Sequence, residues 1–489
     1  MQLCDLLPNL SVNDRHATAT ISGISADSRR IEPGHLFVAI AGHEYDGHDY
    51  ITQALAAGAV AVMGERPASD YPDIAYYHSS DIRRDYAEAC AKFWPKRPPM
   101  QVAVTGTNGK TSTVEFLRQI WQLATWNAAS IGTLGVRTPQ SGLTLDVPSL
   151  TTPGAEDLFY VIDQLGRSQI RCLALEASSH GIAQDRLAPL DIHVAGFTNL
   201  SRDHLDYHND MDEYFAAKKQ LFTTLLPDGA AAAINSDDAY GRQLYQELKD
   251  RKIVLKRIGY DADADLRILS LTPAPYGFDI SLSYDGHSYH YPLALMGRFQ
   301  AENAVMAAML AHLSGLPVQD SLGALPSLKP IAGRMQPVYG HPQSARIVVD
   351  YAHTPDALRS ALAQLRSETG NKLLVLFGAG GDRDAGKRAL MGDAAAELAD
   401  ITFITDDNPR SEDPALIRQQ IIGSHKGFTE IGNRKAAIQA AIDSLGAGDS
   451  LLIAGKGHET TQMIGDETLP FDDAAVARLA LRLLSHEEV

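Results

Sequence analysis

Apolar runs of strand length recur along most of this chain, and nearly every one beyond residue 100 runs straight into a cluster rich in Gly, His, Asp or Arg. The runs QVAVTG, CLALEASS, HVAGFTNLS and GAAAAINSDD alternate with helix-like stretches, and so do ARIVVDYA, KLLVLFGAGG, ADITFITDD and SLLIAGKG further on. Strands apolar on both faces belong to parallel sheets covered by helices. Ligands of open α/β sheets bind beyond the carboxyl ends of the strands. The clusters SSHG, RDHLDYH, GGDRD, DNPR and GKGHE are therefore expected along one edge of each sheet. Turn formation accounts for the Gly, Asn and Asp in them but not for the His and Arg.

At 489 residues the chain is long enough for roughly three domains. The proline-bearing WPKRPPM closes the first stretch, and LPSLKPIAGRM reads as a linker after the helical GRFQAENAVMAAMLAHLSG. The expected class is α/β in three domains: 1–95, an N-terminal α/β unit; 96–333, a parallel-sheet unit; 334–489, a Rossmann-like α/β unit. There is no internal repeat. A net charge of −17 argues against broad nucleic-acid binding, which needs clustered Lys and Arg. Cys4, Cys90 and Cys172 lack disulfide or metal spacing, and neither a signal pattern nor an apolar run near the roughly 20 residues of a membrane span occurs. A cytoplasmic protein without membrane insertion is expected.

In QVAVTGTNGKTSTVEFL a strand passes through Gly106, Thr107, Asn108 and Gly109 into a helix beginning near Lys110. Such a turn points backbone N–H groups and the positive end of a helix dipole at an anion. Lys110 can reach the β- and γ-phosphates of ATP, and the Thr111 or Ser112 hydroxyl can ligate Mg²⁺. Val104 stands where the strict phosphate-loop pattern has Gly, so this is a shortened variant. It predicts ATP binding without choosing a reaction.

Glu176 lies at a strand end in ALEASSHG, and NLSRDHLDYHND supplies Asp203, His204, Asp206 and His208. Taken alone, HLDYH fits a Mg²⁺ partner, a transition-metal hydrolase site or a helix cap. Lys218 and Lys219 fall in the centre of the helical MDEYFAAKKQLF, ordinarily a solvated pair of charges.

Taken together, TGTNGKTST, EASSHG, NLSRDHLDYH and YFAAKKQLF, followed by NAVMAAMLA, AGRM and DYAHTPDAL, resemble the Mur ligases of peptidoglycan synthesis over essentially the whole chain. The resemblance implies an ATP-dependent, ADP-forming amide ligase acting through an acyl phosphate, and a monomer. It implies Mg²⁺ held by Thr111 or Ser112 with Glu176, and a second Mg²⁺ held by His204 with a carbamylated Lys218. Asn303, Arg334, Asp350 and His353 match ATP contacts, so the expected ATP set runs from Gly106 to Ser112 and adds these four.

For a UDP-linked substrate the resemblance implies Ser28, His43, Glu44 and Tyr45 around uridine and diphosphate. Thr151, Thr152, Ser178, Gln184 and Arg186 would then grip sugar, phosphate and peptide. The opening DSRRIEPGHLFVAIAGHEYDG with DNPR and GKGHE resembles the family members that join meso-2,6-diaminopimelate to UDP-N-acetylmuramoyl-L-alanyl-D-glutamate. Arg383, Asp407, Asn408, Pro409, Arg410, Gly455 and Glu459 are the matching amine-site positions. A forked guanidinium at Arg410 suits the distal carboxylate that distinguishes diaminopimelate from lysine. Folylpolyglutamate-type ligases, a metal hydrolase using HLDYH and a non-catalytic ATP switch are the rival readings. The DSRR region and DNPR favour the muramoyl ligase.

Overall fold

The structure, a computed structural model, describes residues 1–7, 18–42, 45–139, 145, 150–201, 208, 210–274 and 277–487. Two compact units form: Met1–Arg267 with Val305–Ala324, and Ile268–Ala304 with Leu325–Val489. No helix among the described residues is long and apolar enough to cross a membrane.

The first unit opens with a parallel four-stranded sheet in the order β1 (Gly23–Ser25), β2 (His35–Ala39), β3 (Ala61–Gly64), β4 (Tyr76–His78). The main sheet follows with β5 (Met100–Thr105), β6 (Ala128–Gly132), β7 (Gly135–Arg137), β8 (Cys172–Glu176), β9 (Val194–Phe197), β10 (Ala231–Asn235) and β11 (Val254–Gly259). Their order is β11-β10-β9-β5-β8-β6-β7, parallel except for β7. The central β5 has β8 on one side and β9 on the other, in a register that sets Val104 opposite Glu176 and Thr105 opposite Phe197. The loops leaving these three strands are thus neighbours at one edge. Helix Lys110–Leu123 buries Val114, Phe116, Leu117, Ile120 and Trp121 against the sheet, a helical spacing that fixes its first turn over that edge. Trp121 Nε1 donates to Ser314 Oγ at 2.9 Å, satisfying the one polar atom its burial would strand.

Strand β12 (Leu266–Ala274), most of which falls in the second unit, forms a meander with β13 (Gly277–Tyr284) and β14 (His287–Leu293). The sheet that follows runs β15 (Gln336–Val338), β16 (Arg346–Asp350), β20 (Ser450–Ala454), β17 (Leu373–Phe377), β18 (Ile401–Ile404), β19 (Thr429–Glu430). It is parallel except for β15. Its strand cores, such as Leu373 to Phe377, are wholly buried between helices, as their unbroken apolar runs require. A small hairpin, β21 (Thr461–Ile464) with β22 (Glu467–Pro470), lies beside the DNPR loop, where Arg410 N donates to Met463 O at 3.3 Å.

Candidate functional site

Between β5 and its helix the chain uses backbone conformations that suit glycine. Gly106 has φ 147° and Gly109, the cap of the helix, φ 85°. A Cβ on Gly106 would collide with Thr198 Oγ1. The segment after β9 braces the loop: Thr107 N donates to Asn199 O at 2.8 Å and Asn108 N to Asn199 Oδ1 at 3.0 Å. Thr198 Oγ1 in turn donates to Asn108 O at 2.6 Å. Lys110 Nζ folds back onto Gly106 O (2.9 Å) and Thr107 O (2.7 Å).

A second ammonium converges on the same carbonyl. Helix Met211–Gln220 buries Lys218 to 1 % exposure, and its Nζ donates to Gly106 O at 2.8 Å while lying 4.4 Å from the centre of the Tyr214 ring. Tyr214 OH and Thr107 Oγ1 are 3.2 Å apart, tying that helix to the loop. Lys219, one residue on, turns away to an ion pair with Glu247 at 2.9 Å. The two neighbouring lysines are thus chemically distinct: one is a buried group at the loop, the other a surface charge.

Glu176, at the end of β8, is buried. Thr111 Oγ1 donates to its Oε2 at 3.1 Å, Thr133 N to Oε1 at 2.8 Å and Thr133 Oγ1 to Oε2 at 3.2 Å. A carboxylate beside a hydroxyl is a set of hard oxygen donors of the kind Mg²⁺ takes. Ser112 is buried one position along the helix. The ring of His208 lies 5.9 Å from that of His180 and 5.2 Å from that of Tyr214. His204, Asp203 and Asp206 lie outside the described residues, as do His43 and Glu44.

The positions expected to grip sugar and peptide form one network beyond β8. Thr152 Oγ1 donates to Glu176 O at 2.8 Å and accepts from Ser178 N at 3.0 Å. Arg186 donates from Nη1 to Thr152 O at 2.7 Å and from Nη2 to Gln184 Oε1 at 2.6 Å. Thr151 Oγ1 is 3.3 Å from Thr133 Oγ1. In the N-terminal sheet region Ser28 Oγ donates to Gln53 Oε1 at 3.4 Å, and Tyr45 is exposed.

In the second unit the DNPR and GKGHE loops meet. Asn408 Nδ2 donates to Glu459 Oε2 at 3.0 Å, and the buried Lys456 bridges Asn408 Oδ1 (2.9 Å) and Glu459 Oε2 (3.1 Å). Gly455 has φ 109°, and a Cβ there would stand 2.8 Å from Asp407 Oδ2. Arg410 takes the left-handed conformation at φ 52° and donates from Nη1 to Gly381 O at 2.7 Å. Gly381 N donates to Asn408 O at 2.9 Å, so the loop carrying the exposed Arg383 is tied to DNPR on either side of Pro409.

Asp350 ends β16 and is buried. Burial pushes its carboxyl above the usual range, opposed by the Arg334 charge and by N–H donors from Met335 (2.7 Å) and Ala352 (2.9 Å). The Arg334 guanidinium lies 5.0 Å from the centre of the Tyr351 ring, which also packs against His353 and His458. Asn303 is buried on helix Arg298–Leu313, and Gln300 of the same helix donates to Arg334 O at 3.1 Å.

Sequence reasoning passed over Thr133, Asn199, Tyr214, Lys456 and Gln462. Thr133 follows strand β6 directly and Asn199 lies two residues beyond β9, the region that marked the other candidates. Lys456 lies inside GKGHE, whose interior lysine gave no sign that it would be buried. Tyr214 reads as a core residue of an amphipathic helix. Gln462, which donates to Asp407 O at 2.6 Å, lies in a short hairpin strand with no apolar pattern.

Comparison with known proteins matches three consecutive segments. Residues 20–96 match the Mur ligase family catalytic domain, 104–311 the Mur ligase middle domain and 333–457 the Mur ligase glutamate ligase domain. A Caulobacter vibrioides protein named UDP-N-acetylmuramoyl-L-alanyl-D-glutamate--2,6-diaminopimelate ligase is 46 % identical over 94 % of this chain and 95 % of its own. A Bradyrhizobium diazoefficiens protein of the same name is 44 % identical over 99 % of this chain and 100 % of its own. A solved structure titled with that ligase name superposes with a TM-score of 0.72 at 31 % identity, covering 99 % of both chains.

Proposed function

Because the chain belongs to the Mur ligase family, we propose that it joins meso-2,6-diaminopimelate to UDP-N-acetylmuramoyl-L-alanyl-D-glutamate, using ATP and releasing ADP and phosphate. The observation that carries the reading is the convergence of Lys110 and Lys218 on Gly106 O, in the unit where Thr111 meets Glu176. An oxygen of the substrate carboxylate attacks the γ-phosphorus, the bond to the β–γ bridging oxygen breaks, and an acyl phosphate and ADP result. The amine nitrogen then adds to the acyl carbon, and the tetrahedral species expels phosphate as the nitrogen loses its proton. Such chemistry needs positioning and charge neutralisation more than covalent participation by the protein.

The backbone N–H groups of Gly109 and of the first helical turn after it receive the phosphates, since those of Thr107 and Asn108 are taken by Asn199, and Lys110 turns from Gly106 O toward them. Thr111, Ser112 and Glu176 would hold one Mg²⁺, and His204 with a carbamylated Lys218 a second; bound metal supplies charge neutralisation at the phosphate oxygens. The burial of Lys218 supports carbamylation. A bare ammonium would repel Mg²⁺, whereas a carbamate offers oxygens and keeps one N–H for Gly106 O.

Asn303, Arg334, Asp350 and His353 are proposed as further nucleotide contacts. Ser28, His43, Glu44 and Tyr45 are assigned to the UDP moiety, and Thr151, Thr152, Ser178, Gln184 and Arg186 to the muramoyl-peptide. Asp407, Asn408 and Glu459 supply acceptors for ammonium groups, and Arg383 and Arg410 donors for carboxylates, with Pro409 and Gly455 shaping the loops. On this reading the domains are 1–95 for UDP, 96–333 for ATP and 334–489 for the amino acid, and the protein works as a monomer in the cytoplasm.

The test is phosphate release with ATP, Mg²⁺ and UDP-muramoyl-dipeptide, with meso-diaminopimelate, L-lysine or no amino acid added. Release only with diaminopimelate is expected. Pyrophosphate in place of phosphate would replace the acyl phosphate by an adenylate, and preference for lysine would overturn the amine assignment.

A further inference from the structure

The polar groups assigned to the incoming amine sit on two loops, 405–410 after β18 and 455–459 after β20, and one buried guanidinium reaches the start of both. Arg434 opens helix Arg434–Asp443 and is 1 % exposed. It pairs with the equally buried Asp473 through Nε to Oδ1 and Nη2 to Oδ2, both at 2.7 Å. Its other contacts go to backbone: Nη2 donates to Ala454 O at 2.9 Å, one residue before Gly455, and Nη1 to Asp406 O at 3.4 Å, one residue before Asp407.

The planar guanidinium sends its donors in fixed directions. Asp473 sets its plane, so the carbonyls that precede the two loops are held at a set separation. A second tie spans the loops through Asn408, Lys456 and Glu459, and Asp407 Oδ2 packs so close to Gly455 that a Cβ there would not fit without a shift. A shift of either loop would therefore change the spacing of the Asp407, Asn408 and Glu459 acceptors. A buried ion pair gives up on desolvation much of what it gains in attraction, so an apolar pair of similar volume would hold these helices as well. What an apolar pair could not do is bind the two carbonyls.

We propose that Arg434 is a positioning residue for the amino-acid substrate, setting the distance between the 405–410 and 455–459 loops and through it the selection of the amine. The proposal rests on the assignment of those loops to diaminopimelate.

Two variants test it in the full-length protein, with phosphate release measured while each substrate is varied in turn. Arg434→Met with Asp473→Leu removes the pair but refills its volume, so the double variant should still fold, with a melting temperature lowered only by the loss of the two carbonyl hydrogen bonds. The KM for meso-diaminopimelate should rise about tenfold or more, while those for ATP and UDP-muramoyl-dipeptide stay within about twofold. Arg434→Lys keeps the charge but loses the fork, and should shift the same KM in the same direction by less. A folded double variant with an unchanged diaminopimelate KM would overturn the proposal, and so would equal increases for all three substrates. If the double variant does not fold, an unchanged KM in Arg434→Lys is the overturning result. Failure of the unsubstituted protein to use diaminopimelate would instead overturn the underlying assignment, which that control reads separately.

Discussion

The phosphate loop and the DNPR–GKGHE cluster both follow parallel strands, yet they are built from different material. At the phosphate loop, charged side chains rest on backbone: Lys110 and Lys218 both donate to Gly106 O, and the loop is braced by main-chain and amide contacts to Asn199. In the DNPR–GKGHE cluster, side chains satisfy side chains, with Lys456, Asn408 and Glu459 closing a triangle. Backbone N–H groups bind any phosphate that fits, so the first region suits the step common to many ATP-using ligases. A side-chain network has a fixed charge pattern and suits recognition of one amine. Substitutions in the first region should therefore stop turnover, and those in the second should change which amine is used.

The sharpest break of this comparison would come at Lys110. If Lys110 follows the transferred phosphoryl group as proposed, Lys110→Ala removes that charge, and phosphate release should fall about a thousandfold whatever amine is supplied. A variant that kept near-normal release would make the loop a binding element only. Next in size is Lys218→Ala, with an expected loss of about a hundredfold. If a carbamate acts there, formate or acetate should restore part of the rate; a loss that no short carboxylate repairs would leave Lys218 an ammonium and no more than a brace for Gly106 O.

The two regions also differ in how far their residues could be read in advance. The central parallel strands, such as β8 and β17, were legible because they are largely apolar runs, and the helix start at Lys110 follows from Gly109 in a left-handed conformation. That Lys218 is the buried member of the Lys218–Lys219 pair follows from the face of the helix that carries Tyr214, but only the packed structure supplies the partner carbonyl. The β13–β14 hairpin was missed although Asp285 (φ 49°) and Gly286 (φ 75°) form the Asp-Gly turn that marks such hairpins. Thr133 on Glu176 and Arg434 on Ala454 O are contacts between residues far apart in the chain. Neither has a local signature, and Arg434 in NRKAAI reads as a charge at the solvated start of a helix.

In the second region the expected effects are smaller and selective. Arg410→Ala should raise the KM for meso-diaminopimelate by about 10- to 100-fold, the worth of about 1.5–3 kcal/mol for a hydrogen bond to a charged group, and leave that for ATP unchanged. Equal losses in both would mean that Arg410 shapes the fold of the loop, as its bond to Gly381 O also allows, and does not read the substrate.

The smallest effect separates the substrate-reading residues of this region from the ones that merely support them. Arg388 is buried and donates from Nη1 to Glu412 Oε2 and from Nη2 to Glu412 Oε1, each at 2.8 Å, while Nη2 also donates to Gly380 O at 3.1 Å. The Arg388 hydrogen bonds, aided by Asp382 N, hold the Glu412 carboxyl down to about 2 from an ordinary 4.5. Because the folded value is the lower one, the contribution to stability is fully present above about pH 4.5 and is lost as pH falls toward 2. Glu412→Gln should therefore melt below the unsubstituted protein at neutral pH, and the gap should narrow steadily once the pH drops below the ordinary carboxyl range. Thermal melts from neutral pH downward read this directly, and a gap that stayed constant through the acid range would remove the ion pair as its cause. At neutral pH the same variant should change the diaminopimelate KM far less than Arg410→Ala does. If it changed it as much, the division between residues that read the amine and residues that hold the loop would fail at Glu412.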